Sequence, residues 1–106
     1  MLLTKSQERR IAQVIRLVHE RRLAESLAPV EEAILSWKEG ARSIFEIDKA
    51  IHQHSMRAKR YFAVYANTAA SSPEAVGVLD EALDLSIITK EEHQHLTTIK
   101  NRVVRP

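Results

Sequence analysis

The sequence predicts an all-α, single-domain protein in which residues 1–106 form a helical bundle of four or five helices around a long central helix at about 44–69. Three observations point there. Apolar residues recur at three- and four-residue spacing through most of the chain, as one face of a helix requires. No apolar/polar alternation runs long enough for a strand. Only 2 Gly and 3 Pro occur in 106 residues, so long uninterrupted elements are favoured over turn-rich sheets.

Thr4 or Ser6 can cap a first helix, which carries Ile11, Val14, Ile15 and Val18 on one face. That helix is expected to run to about Ser26. Pro29 then stops or kinks it, because the ring clashes with the carbonyl four residues earlier, and suits the first turn of a short second helix. Leu27, Val30, Ile34 and Trp37 form the stripe of that second helix, and Gly40 its left-handed C-terminal cap. Ser43 and Glu46 make a capping-box pattern opening the third helix. There Ile44, Ile47, Ile51, Ala58, Phe62, Tyr65 and Ala69 recur at three, four or seven residues. No Gly or Pro intervenes before Pro73, so this helix spans about 26 residues, on the order of 40 Å. Ser72 and Pro73 open a fourth helix with Ala75, Val76, Leu79, Leu83 and Ile87 facing inward. Asp84 to Ile88 form a turn, and Thr89 with Glu92 repeats the capping box of a fifth helix running to about Arg102. Trp37, Phe45, Phe62 and Tyr65 read as core anchors, with Tyr61 off the stripe and exposed.

The composition narrows function. There is no cysteine, which excludes disulfides, thiolate nucleophiles and cysteine zinc sites. No segment approaches the roughly 20 apolar residues of a membrane span, and none reads as a signal peptide, so a cytoplasmic location with no membrane contact is expected. No glycine-rich phosphate loop or nucleophile elbow is present, so no cofactor is expected. The net charge of +2 is too small to serve by itself as a nucleic-acid footprint.

Five histidines remain. His52 and His54 are two apart, as are His93 and His95, and residues two apart on a helix point about 200° from each other. Neither pair can chelate one metal ion. The bland reading leaves His54 and the His93 pair in solvent and His52 half-buried, with no metal site. The sharper reading makes His52 a ligand-binding residue with Asp48 or Glu46 as the second group, in a helical enzyme or metal-binding protein. Arginines crowd the first helix, so Arg9 and Arg16 are candidates for weak nucleic-acid contact. Glu8, Glu20 and Glu25 interrupt that field, however, and the last helix opens with Lys90-Glu91-Glu92, which would repel phosphates. Nucleic acid is therefore the least favoured partner.

Trp37, Gly40, Ser43, Phe45, Glu46, Ile51 and His52, with Ile47 in place of leucine, resemble a pattern shared by a family of small bacterial all-helical proteins of no established activity. The pattern is Trp-x-x-Gly, then Ser-x-Phe-Glu-Leu, then Ile-His. It covers under a fifth of the chain. In that family a second histidine follows three residues after the first; here Ser55 holds that position and His54 is the extra histidine. The resemblance implies a helical fold and nothing about mechanism.

The first functional expectation is a non-enzymatic interaction or structural protein, a homodimer, because the long helix carries more apolar surface than two short neighbours can cover. On this reading Ser43→Ala costs about 1 kcal/mol and Trp37→Ala roughly 3–5 kcal/mol, measurable by chemical denaturation.

Overall fold

The computed structural model describes residues 3–104. It is all-α, with helices α1 (Lys5–Lys38), α2 (Ile44–Tyr61), α3 (Ala75–Asp84) and α4 (Lys90–Val104), and no strand among the described residues. A π-helical turn, Phe62–Ala66, continues α2. The expected helix at 44–69 is thus continuous to Ala66, and its last turn widens before the chain leaves it at Asn67.

The first two expected helices are one. α1 runs 34 residues with Pro29 inside it. A proline removes the amide that would bond the Glu25 carbonyl. Pro29 is exposed, so water can take that carbonyl, and packing on both sides of the proline holds the helix together. Thr4 starts α1 with a complete capping box, accepting from the Gln7 amide while the Gln7 side chain accepts from the Thr4 amide. Gly40, at φ +79°, ends it: the Gly40 amide donates to the Trp37 carbonyl and the Ala41 amide to Ser36.

α1 and α2 form an antiparallel hairpin. The N-terminal half of α1 packs Ile11, Val14, Ile15 and Val18 against Val78, Leu79 and Ala82 of α3, Leu96 of α4 and Tyr65 of the π turn. This is the head of the molecule. The rest of α1 and α2 projects from it as a two-helix arm, whose seam holds only Ala33, Ile47 and Ala50, flanked by Val30 and Ile34. The shape reflects this: extents are 60 × 24 × 18 Å and the radius of gyration is 17.9 Å, against about 13 Å for a compact domain of this length.

Several local expectations are corrected. Ser43 has N-cap geometry, but its side chain makes no cap bond; the Glu46 amide instead bonds the Ser43 carbonyl. The capping box is therefore absent, and Ser43→Ala costs less than a cap. Trp37 is 44% exposed, Phe45 79% and Phe62 63%, so of the four expected core anchors only Tyr65 is buried. Trp37 lies in the last turn of α1, where α2 is only beginning and offers nothing to cover the indole. Phe45 sits on the flank of α2 turned away from the seam. Tyr61, expected in solvent, is half-buried against the head core. Ser72 does not cap α3. Its hydroxyl donates to the Ala69 carbonyl, and three tight turns lead into the helix at Ala75.

Two polar devices close the head. Lys100 is fully buried, and its ammonium donates to the carbonyls of Ala70 (2.6 Å) and Ser72 (2.7 Å), tying the loop before α3 to α4. Burial holds this ammonium below the usual lysine range, partly offset by the Glu74 carboxylate. At the end of α3, the Ser86 amide donates to Leu83 and the Ile87 amide to Ala82, the same closure as at Gly40, but Ser86 adopts φ +60° with a side chain present. A Cβ in the left-handed region costs roughly 1 kcal/mol. Ser86→Gly is therefore expected to stabilise the fold by about 0.5–1 kcal/mol in urea titrations; an unchanged or lower midpoint would contradict this.

Candidate interaction surface

The residues singled out for chemistry do not converge. Glu46, Asp48 and His52 are all exposed along α2. His52, expected half-buried, faces water because the seam residues are Ile47, Ala50 and, one turn on, His54 and Arg57. No group of three His, Asp or Glu side chains is placed to hold a metal ion among the described residues. Arg9 and Arg16 are exposed, and Arg16 pairs with Glu20 at 3.3 Å.

Neither His54 nor His93 is left in solvent. The His93 ring meets Asp80 at 2.7 Å, joining α4 to α3. The His54 ring lies 2.8 Å from the buried Ser26 hydroxyl, which also accepts from Arg57 Nε at 2.8 Å. Arg57 Nη2 donates to the Ser26 carbonyl. This node sits midway along the arm. A groove of about 400 Å³ opens beside it, lined by Arg22, Glu25, Ser26, Pro29, Arg57 and Tyr61. Ser26 carries no oriented donor set for an oxyanion, and its hydroxyl and carbonyl are both taken up in joining the helices.

Charged latches fix the short helices α3 and α4 to α1. Glu81 of α3 accepts from Arg22 Nε (2.6 Å) and from the Tyr65 hydroxyl (2.7 Å). The His19 ring lies over Tyr65, with centroids 5.4 Å apart. Burial, then donation to Glu81, pushes the Tyr65 phenol up to about 12. Glu92 of α4 accepts from Arg10 Nε and Nη2 at 2.7 and 2.6 Å. Glu92 was expected to complete a capping box with Thr89. Its amide does bond the Thr89 hydroxyl, but its carboxylate goes to Arg10 instead.

The surface without a partner is apolar. Leu27, Leu35, Trp37, Ile44, Phe45, Ile51, Met56, Phe62 and Val64 are all exposed, and every one lies on the arm or on the π turn at its foot. At about 100° per residue, Ile44, Ile51, Ala58 and Phe62 share one side of α2, roughly a quarter turn from the seam row of Ile47, Ala50 and His54. Leu23, Leu27 and Ile34 lie roughly a quarter turn, in the same rotational sense, from the α1 seam row of Ser26, Val30 and Ala33. In an antiparallel pair, equal offsets of the same sense fall on the same side. The two rows therefore fall on one side of the hairpin and bring four of these exposed side chains together there, Leu27, Ile44, Ile51 and Phe62, with Asp48 on the α2 stripe between Ile44 and Ile51. Leu27, expected on a buried stripe, is exposed because that flank of α1 meets no neighbour, and Leu35 was not singled out in the sequence. The available signal was the breadth of the α2 stripe, which holds more apolar positions than one seam can bury.

Compared with known proteins, the chain matches no family model, no curated protein and no solved structure.

The Arg10–Glu92 latch has a pH signature. Hydrogen bonding from Arg10 holds the Glu92 carboxyl below its ordinary range. A carboxyl depressed in the folded state contributes stability above its unfolded value, and that contribution is lost as pH falls through the folded value. Wild type is expected to exceed Glu92→Gln by roughly 1 kcal/mol at neutral pH, as for a partly exposed pair. The gap should close as pH is lowered through and below the ordinary carboxylate range in denaturant titrations; a gap independent of pH would refute the assignment.

Proposed function

We propose that this chain is a non-enzymatic helical interaction protein whose docking element is the apolar face of the α1/α2 arm. The observation that carries this reading is that, among the described residues, the exposed large apolar side chains are concentrated on the arm and its foot. Single exposed apolar residues are ordinary, whereas a contiguous face is characteristic of a contact site. The arm spans about 22 residues of α1 beyond the head, or roughly 30 Å, and two helices side by side are about 20 Å wide. One side of the arm is therefore on the order of 600 Å² in projection and more in accessible surface, comparable with the about 800 Å² per partner of a stable complex.

Supporting this, Arg10 and Arg22 are engaged with Glu92 and Glu81, and Ser26, His54 and Arg57 are engaged in joining the two helices of the arm. The exposed residues of the apolar rows have no neighbour of their own chain to cover them.

An uncovered face of this kind binds an apolar fluorophore while the protein is folded. Dilute protein is expected to enhance anilinonaphthalene sulfonate emission at full helicity, and Ile51→Glu with Phe62→Glu is expected to remove more than about half of that signal. Native protein that leaves the dye dark at high dilution would overturn the reading.

A further inference from the structure

We infer that the occupant of this face is a second copy of the chain, its arm laid antiparallel on the first so that the two hairpins close a four-helix bundle. The inference rests on the docking surface proposed above and identifies its partner.

Charge along the arm supports both the partner and its direction. Across the hairpin, Ser26 meets His54 and Arg57, while Ala33 sits with Ile47 and Ala50, so residue 29 lies opposite about residue 52. Beyond that level, residues 30–51 form the tip and carry five carboxylates and three Lys or Arg. Below it, residues 16–29 and 52–66 form the foot; with Arg22 held by Glu81 and Arg57 by Ser26, it presents Arg16, Arg21, Lys59 and Arg60 against two carboxylates, Glu20 and Glu25. The tip is acidic and the foot basic. A two-fold axis through the middle of the arm places each tip on the partner's foot, so both ends are complementary at once. A parallel pair would set tip on tip and foot on foot, with like charges opposed at each end. Asp48, on the stripe between Ile44 and Ile51, then comes toward the partner's foot, where Lys59 and Arg60 stand exposed.

The head leaves room for this. Val18 and Arg22 pack on or pair with α3. They lie roughly half a turn from Leu27 by helical phase, so α3 covers the opposite side of α1. Two antiparallel hairpins stacked face to face, with apolar rows in the middle and charged rims, make an ordinary up-down four-helix bundle. That arrangement buries what a two-helix hairpin cannot.

The chain has no cysteine, so one introduced at the tip is a unique attachment point. Sedimentation equilibrium of the full chain should give a reversible monomer–dimer transition. Ile51→Glu with Phe62→Glu should weaken it about 30-fold or more, as for central contact residues. Leu27→Glu, on the other helix, should weaken it independently; all three positions lie outside the buried core, so helicity and thermal midpoint serve as folding controls. With Glu39→Cys spin-labelled, an antiparallel dimer places the two labels about 30 Å apart. A separation below about 20 Å would overturn the antiparallel arrangement, and a dimer indifferent to both sets of variants would overturn the interface. A chain that remains monomeric at every concentration while still binding the dye would remove the second copy and leave the docking surface standing; a monomer that does not bind the dye would remove both.

Discussion

A hairpin of two helices has one internal seam, and that limit shapes this molecule. Each helix of the arm bears apolar side chains over more of its circumference than its single neighbour can cover. In the head the limit is lifted, because α3, α4 and the π turn bring additional faces against α1, and Ile11, Val14, Val18 and Leu79 are buried almost completely. Along the arm no third helix arrives, and the seam closes on small residues and one isoleucine, Ala33, Ala50 and Ile47. One chain therefore combines a packed end with an end whose apolar surface exceeds its own means of covering it.

α1 is what connects the two regimes. Its 34 residues enter the head core, form the arm, and carry the arginines that reach α3 and α4. The helix survives Pro29 because the proline lies on the solvent side, with packed residues both before and after it. The lost backbone bond is thus confined to a place where water can compensate, while tertiary contacts maintain the helical path. Neither Arg10–Glu92 nor Arg22–Glu81 is deeply buried, so each is a modest source of stability. Their two-pronged geometry fixes the angle at which the short helices meet the long one.

Much of the architecture was legible in the sequence. The helical spacing, the row Ile11–Val14–Ile15–Val18, the cap at Thr4, the glycine at position 40 and the turn at 84–88 are all local signals, and the structure follows them. What failed depended on distance. Whether Pro29 ends a helix is decided by packing on either side of it, and whether Trp37 and Phe45 are covered is decided by where the neighbouring helix starts and which flank it meets. Likewise, Glu92 looked like a capping residue because sequence shows Thr89 three positions away and hides Arg10, which lies 82 positions away. The candidate ligand set at His52 came from neighbours along one helix, and such neighbours share a face without any guarantee that a second element closes over them. The docking face was half visible. Its residues were recognised as apolar and read as interior, since a sequence pattern records the width of a stripe and is silent on how many helices come to meet it.

The Ser26–His54–Arg57 node has a consequence for the hairpin's register. Alanines and an isoleucine pack nearly as well after one helix slides a turn past the other, so the apolar seam alone would tolerate several alignments. The guanidinium and imidazole tolerate one: displaced by about 5.4 Å, both would leave the serine, and its buried hydroxyl would be stripped of its partners. Polar specificity thereby acts as a detent in an otherwise slippery joint, keeping the rows on α1 and α2 level with each other.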